Sequence, residues 1–315
     1  QEHAIEVPEV QPTALGHVAP VAVTTQARRL PRDRRMEDWS AEYALLQLKK
    51  SKGKIHVVRR SPVGAVKELA RVKLDSGEGG RPHVQDVVRV FSFTLPNGWA
   101  KAALDKFNKS GLRRDRENDF HMKYHQNDPR RDEVKSTELG WSGFEGGPKG
   151  TKQGDAREAG VPYKLEAWLD PRGASWMDKY ISTVLPRLWA LCKENYPDVC
   201  AAMSDKTMAH LYGLFGTGWN KITVGVNNPT ELHFDDKNFG ITALLIVGLK
   251  GLAGGSHVLL GTDRAAAVIV EECEEGTVVF GDYASALHGN LATIAGTRFV
   301  VNAYCSANVI LRITK

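Results

Sequence analysis

The stretch Gly276–Tyr304, GTVVFGDYASALHGNLATIAGTRFVVNAY, decides how the rest of the chain is read. It opens on TVVF and closes on RFVVNAY, two strand-length runs rich in β-branched and aromatic residues. Between them, glycines 281, 289 and 296 punctuate a short segment, Leu287-His288-Gly289-Asn290. The same pattern continues upstream. AAAVIVE (265–271), SHVLL (256–260), ITALLIVGL (241–249) and NKITVGV (220–226) are further short apolar runs bounded by turn residues. TMAHLYGLF (207–215) precedes a Gly-Thr-Gly turn and reads as the hairpin partner of NKITVGV. Strands at roughly 8–12-residue spacing predict an all-β sandwich or barrel.

Helical spacing dominates farther upstream. EDWSAEYALLQLKK (37–50) has apolar positions at helical period and a basic end, which predicts a helix. DVVRVFSFTL (86–95) predicts a strand, Pro96-Asn97-Gly98 a turn, and WAKAALDKFNK (99–109) a helix. Residues 175–195 predict a helix with Ser175 as N-cap and a kink near Pro186. Residues 111–160 are dense in charge and glycine and read as a long, mobile loop insertion. The expected class is therefore α+β, a β core buttressed by N-terminal helices. Its expected parts are a basic arm and helix over 1–80, and a domain over 81–315. That domain carries the 111–160 insertion and the β core over 207–315.

Hydrophobic residues make up 42% and charged residues 25% of the 315, the balance of a soluble globular protein. No run approaches the ~20 apolar residues of a membrane span. The four cysteines form no CxxC pair and read as reduced thiols in an intracellular protein. The net charge is +5, and residues 1–75, with 14 Lys/Arg against 9 Asp/Glu, hold all of the surplus. It concentrates in Arg28–Arg35 and Lys49–Arg60, which read as a footprint for a polyanion and a nuclear address. An ordinary solvated surface is the plainer reading of either run alone.

The chemistry centres on Glu231-Leu232-His233-Phe234-Asp235-Asp236. Residues i and i+2 of a strand face the same side, so His-x-Asp presents an imidazole and a carboxylate to one metal. Alone the pair is common by chance. His288, after the strand TVVFGD, supplies a third ligand. Two histidines and one carboxylate on one face leave three coordination positions open and mark non-haem Fe(II) oxygenases. Arg298 follows His288 by ten residues; its guanidinium can grip a carboxylate with two parallel hydrogen bonds, as binding 2-oxoglutarate requires. Gly254-Gly255 adds a tight turn between the ligand segments. Weaker signals lose to plainer readings. His121 and His125 stand at i and i+4 but lie in loop-like, charged sequence with no cysteine pair. His257 reads as a core strand residue before it reads as a fourth ligand, and Glu271–Glu275 reads as a solvated turn.

On His233, Asp235, His288 and Arg298 together, residues 207–305 resemble the core of the 2-oxoglutarate/Fe(II)-dependent dioxygenase superfamily. Within it they look most like the TET and J-binding-protein branch of protists, algae and fungi. Gly276–Tyr304 carries the closest likeness. The resemblance implies a double-stranded β-helix (jelly-roll) core, with Fe(II) held by His233, Asp235 and His288 and 2-oxoglutarate anchored by Arg298. It implies oxidation by O₂ of the methyl of 5-methylcytosine in DNA, hence DNA demethylation in the nucleus. A duplex base reaches a buried metal only when flipped out of the stack. Asn227, Asp236, Asn238 and Phe239 are the expected substrate contacts, with Trp141, Phe144, Tyr163 and Tyr283 as further stacking candidates. The alternatives are an N6-methyladenine or RNA demethylase of the same chemistry, a protein or small-molecule hydroxylase, and a nucleic-acid-binding module on an inactive barrel.

Overall fold

The computed structural model describes residues 41–58, 67–73, 87–112, 134–142, 166–168, 171–235, 237–260, 266–271, 276–307 and 309–310. Helices α1 (Ala41–Lys50) and α2 (Trp99–Lys109) form where apolar residues recur at helical spacing. A longer helical run comprises α3 (Pro171–Trp176), a π-helical stretch (Met177–Ile181) and α4 (Ser182–Asn195), followed by α5 (Pro197–Lys206). The described residues also form thirteen strands. The first five are β1 (Lys54–Val58), β2 (Lys67–Lys73), β3 (Val87–Ser92), β4 (Lys135–Ser142) and β5 (Glu166–Trp168). β6 (Lys221–Val226), β7 (Thr230–His233), β8 (Asn238–Gly254) and β9 (His257–Leu260) follow. The last four are β10 (Ala266–Val270), β11 (Thr277–Gly281), β12 (Leu287–Asn290) and β13 (Thr293–Ser306).

The strands build two sheets, ordered β1-β10-β9-β12-β7 and β2-β3-β11-β8-β13-β6-β4-β5. From β6 onward the chain passes large, small, large, small, small, large, small, large. The central pairings are antiparallel. This is the path of a double-stranded β-helix, and the class is α+β as expected.

Side-chain alternation makes three apolar layers. On the outward face of the large sheet, Val278, Phe280, Phe299 and Val301 pack with Trp99, Trp176, Leu185 and Trp189 of the helices. Between the sheets, Leu244, Ile246, Val279 and Val300 meet Leu259, Val268 and Val270. Outside the small sheet, Leu232, Val258, Leu260 and Leu287 pack under Ala41, Ala44, Leu45 and Leu48 of α1. Each Val, Leu, Ile or Phe side chain among these, once buried, contributes roughly 1.5–3 kcal/mol.

Several expectations are corrected. TMAHLYGLF is no strand: Met208–Tyr212 is a π-helical turn and Leu214–Gly216 a 3-10 turn. β6 takes β13 and β4 as its ladder partners instead, and short apolar runs are ambiguous between helix and strand. Ser175 lies inside the helical run, which starts at Pro171, a residue suited to a first turn. The irregularity precedes Pro186, as the π-helical stretch. Within 111–160, residues 135–142 form β4, pairing with β6 over 135–140 and with β5 over 140–142. The rest of that insertion beyond residue 112, apart from Val134, lies outside the described residues, as do His121, His125 and Arg28–Arg35. Of the second basic run, Lys49 and Lys50 end α1 and residues 54–58 form β1.

Candidate metal centre

β7 and β12 are antiparallel neighbours, and their register sets His233 directly opposite His288. Both side chains lie on the face turned away from Leu232 and Leu287, which pack under α1. They therefore point between the sheets, with ring centroids 4.2 Å apart. Asp235 follows β7 by two residues, and its N–H donates to the Tyr283 carbonyl at 2.9 Å. One ligand atom from each of His233, Asp235 and His288 lies within 4.8 Å of the others. His233 Nε2 is 3.4 Å from Asp235 Oδ1, and His288 Nε2 is 3.6 Å from Asp235 Oδ2.

The partners of these groups orient them. His233 Nδ1 donates to the Glu231 carbonyl at 2.8 Å and His288 Nδ1 to the Ala286 carbonyl at 3.1 Å. A proton on each Nδ1 leaves each Nε2 lone pair facing the carboxylate, the arrangement that metal-bound histidines share. Asn238 Nδ2 donates to Asp235 Oδ2 at 3.0 Å.

Burial acts on all three groups. It opposes ionisation of Asp235, but His288, His233 and Asn238 together hold the carboxyl below the usual range. Burial likewise disfavours charge on His233, yet the adjacent Asp235 raises its pKa. His288, more deeply buried and repelled by His233, is pushed down to about 4. The set is thus an anionic carboxylate between two imidazoles, at least one of them neutral. Two nitrogens and one oxygen, each braced by a further hydrogen bond, fit Fe(II).

Arg298 lies on β13 and is 3% exposed. It shares the parity of Val300, so it belongs to the face between the sheets. A Cβ on Gly255 would stand 2.8 Å from Arg298 Cδ, and Gly255 itself holds a φ of +70°. The Gly-Gly turn is therefore needed both for its backbone and for the arginine's passage. Four residues along the strand, Asn302 places a buried Oδ1 with no hydrogen-bond partner. A buried cation and an unsatisfied carboxamide oxygen on one interior face fit a polar co-substrate such as 2-oxoglutarate.

The expected substrate contacts divide. Asn227, buried with a φ of +47°, spends its carboxamide oxygen on the backbone N–H of Arg298 at 2.8 Å. Asn238 serves Asp235, and Phe239 packs against the helix-side core. Asp236, Phe144 and Tyr163 lie outside the described residues. Trp141 stands edge-on to Tyr212, 5.2 Å between centroids. Tyr283 lies inside the centre, with its ring centroid 4.3 Å from that of His288. Asn302 was not among the residues expected at the site; its signal was a polar residue inside the apolar run FVVNAY.

No protein-family model matches this chain, and no curated protein does. Similarity to solved structures is found with NgTET1 in complex with 5mC DNA, at 12% identity and a TM-score of 0.45, covering 70% of this chain and 73% of that one. It is found also with a Pseudomonas putida prolyl-4-hydroxylase, at 13% identity and a TM-score of 0.32, covering 70% and 92%. A Burkholderia pseudomallei oxidoreductase of the 2OG-Fe(II) oxygenase family gives 11% identity, a TM-score of 0.32, and coverage of 55% and 67%. Strand order and register, not these likenesses, place the chain among double-stranded β-helix folds.

Proposed function

We propose that the chain is a non-haem Fe(II), 2-oxoglutarate-dependent dioxygenase that oxidises the methyl group of 5-methylcytosine in DNA. The observation that carries the chemistry is the convergence of His233 Nε2, His288 Nε2 and Asp235 between the sheets, with Arg298 buried on the facing sheet. When bound, Fe(II) and 2-oxoglutarate supply oxidative decarboxylation to succinate and CO₂, coupled to hydroxylation of a substrate C–H by O₂.

The chain's own residues do the rest. His233, Asp235 and His288 would hold the iron through two nitrogens and one oxygen. The Glu231 and Ala286 carbonyls keep the imidazoles in the ligating tautomer. Arg298 binds the far carboxylate of the co-substrate. The apolar layer of Leu244, Ile246, Leu259 and Val300 keeps bulk water from the interior. The DNA half of the reading is supported by the resemblance of Gly276–Tyr304 and by the basic surplus in residues 1–75. A nuclear location is part of the same reading.

The test is mass spectrometry of nucleosides after incubation of the protein with methylated DNA, Fe(II), 2-oxoglutarate and O₂. Oxidised methylcytosine is the expected product. Loss of the methyl group from N6-methyladenine, or activity on RNA alone, would move the substrate within the same chemistry. Succinate formation with proteins or small molecules and none with nucleic acid would replace it.

A further inference from the structure

Behind the metal ligands lies a pair that the chemistry above does not use. His257 on β9 is 3% exposed and Tyr283 is 1% exposed. His257 Nε2 and the Tyr283 hydroxyl are 2.9 Å apart. His257 stands opposite Asn290 on β12, two residues from His288, so the pair is set directly beside the strand that carries the ligand. In this interior position the imidazole nitrogen and the hydroxyl are each other's hydrogen-bond partner.

Tyr283 meets the centre in two further ways. Its ring lies against His288 at 4.3 Å between centroids and 35° between planes. Its carbonyl accepts the N–H of Asp235 at 2.9 Å. Gly281 makes room for the ring, since a Cβ there would stand 3.0 Å from Tyr283 Cε1. One side chain thus supports the His288 plane while its backbone ties down the Asp235 segment. Held at the hydroxyl end, the ring cannot swing away from His288.

We infer that Tyr283 and His257 form a positioning pair that fixes the His288 imidazole and the Asp235 segment in the geometry of metal binding. The inference rests on the metal-centre reading. It predicts that loss of the Tyr283 hydroxyl alone, with the ring kept, weakens metal binding without unfolding the protein. Removing hydrogen-bond partners behind metal ligands typically costs 10- to 100-fold in affinity.

The experiment titrates Co(II), as a spectroscopic stand-in, into metal-free wild-type, Tyr283→Phe, His257→Gln and His257→Leu proteins. It reads the dissociation constant, the ligand-field absorption bands and the melting temperature. Tyr283→Phe should bind Co(II) at least ~10-fold more weakly, with shifted bands, while still melting cooperatively. His257→Gln keeps an acceptor for the hydroxyl and should lose less than His257→Leu. That comparison holds even if Tyr283→Phe fails to fold. Wild-type affinity and bands in a folded Tyr283→Phe, or equal losses in the two His257 variants, overturn the pair while leaving the metal centre intact. A wild-type protein that binds no Co(II) overturns the metal centre, and the pair with it.

Discussion

Asn227 and Arg298 hold each other by the backbone: the Asn227 N–H donates to the Arg298 carbonyl at 2.9 Å, and the Arg298 N–H donates to Asn227 Oδ1 at 2.8 Å. Asn227 does so from a left-handed conformation, φ +47°. Asn227→Ala would leave a buried N–H unpaired and put an alanine where left-handed backbone is costly, a loss of about 2–4 kcal/mol. Asn227→Gly tolerates the conformation and should lose only the hydrogen bond, about 1–3 kcal/mol. Urea unfolding of the three proteins checks the order, and equal stability for all three would show that the contact contributes nothing.

Replacing Arg298 itself by Ala should weaken 2-oxoglutarate binding ~30- to 1000-fold, the equivalent of about 2–4 kcal/mol. Arg298→Lys keeps the charge but not the two-pronged grip, and should fall between Ala and wild type. Direct binding of the co-substrate to the metal-loaded protein is the measurement. Unchanged affinity in Arg298→Ala would place the anchor elsewhere.

The side chains of His233 and Asp235 are 29% and 25% exposed. His233→Ala and Asp235→Ala should therefore abolish 2-oxoglutarate decarboxylation while shifting stability by no more than about 1 kcal/mol. Succinate release and thermal melts report the two effects separately. A fully active Asp235→Ala would remove that residue from the ligand set.

DNA binding by the intact protein should weaken with salt, log affinity falling by ~0.9 per phosphate contact. Substituting Arg28, Arg29, Arg32, Arg34, Arg35 and the lysines of 49–54 by Ala should flatten that slope and spare decarboxylation without DNA. From residue 201 on, 8 Lys/Arg face 10 Asp/Glu, so the β core adds little attraction of its own. Binding that ignores salt would end the polyanion reading.

Cys192, Cys200 and Cys305 are buried free thiols. Burial pushes the thiols of Cys192 and Cys305 well up, which suppresses the reactive thiolate. Alkylation at these positions should run at least ~1000-fold slower than in the unfolded chain and accelerate only as urea unfolds the protein. Mass spectrometry of the modified peptides gives the rate site by site; fast labelling of Cys192 in the native state would contradict its burial.

How far the sequence speaks depends on whether a residue's role is local. Helix α2 is legible to its ends because apolar spacing and a preceding Pro-Asn-Gly turn are both local signals. His233, Asp235 and His288 do converge, although the strand ends at His233 and Asp235 is held beyond it by its N–H to the Tyr283 carbonyl, so the two-residue spacing pointed to the right pair without the strand that was its reason. β1 and β4 were hidden, since KIHVV sits in a basic run and KSTELGWS between charged, glycine-rich flanks. Asn227 and Asn238, expected as substrate contacts, make hydrogen bonds to the Arg298 backbone and to Asp235. Whether a carboxamide faces a ligand or a neighbouring backbone depends on turn geometry, such as a φ of +47° at Asn227, that no residue type announces. His257 and Tyr283, 26 positions apart, become a pair only once β9 lies beside β12.

The small sheet ends on β1, which lies parallel to β10 with Lys54 opposite Ala266, 212 positions later in the chain. That pairing has no local shortcut: a very large loop must close before its hydrogen bonds can form. During synthesis, residues 54–58 emerge long before their partner exists, and α1 waits with them, since it packs on the same sheet. The sheet that carries both histidines therefore completes late. Chains dominated by such distant pairings fold slowly, and their unpaired edges are exposed to other chains while they wait.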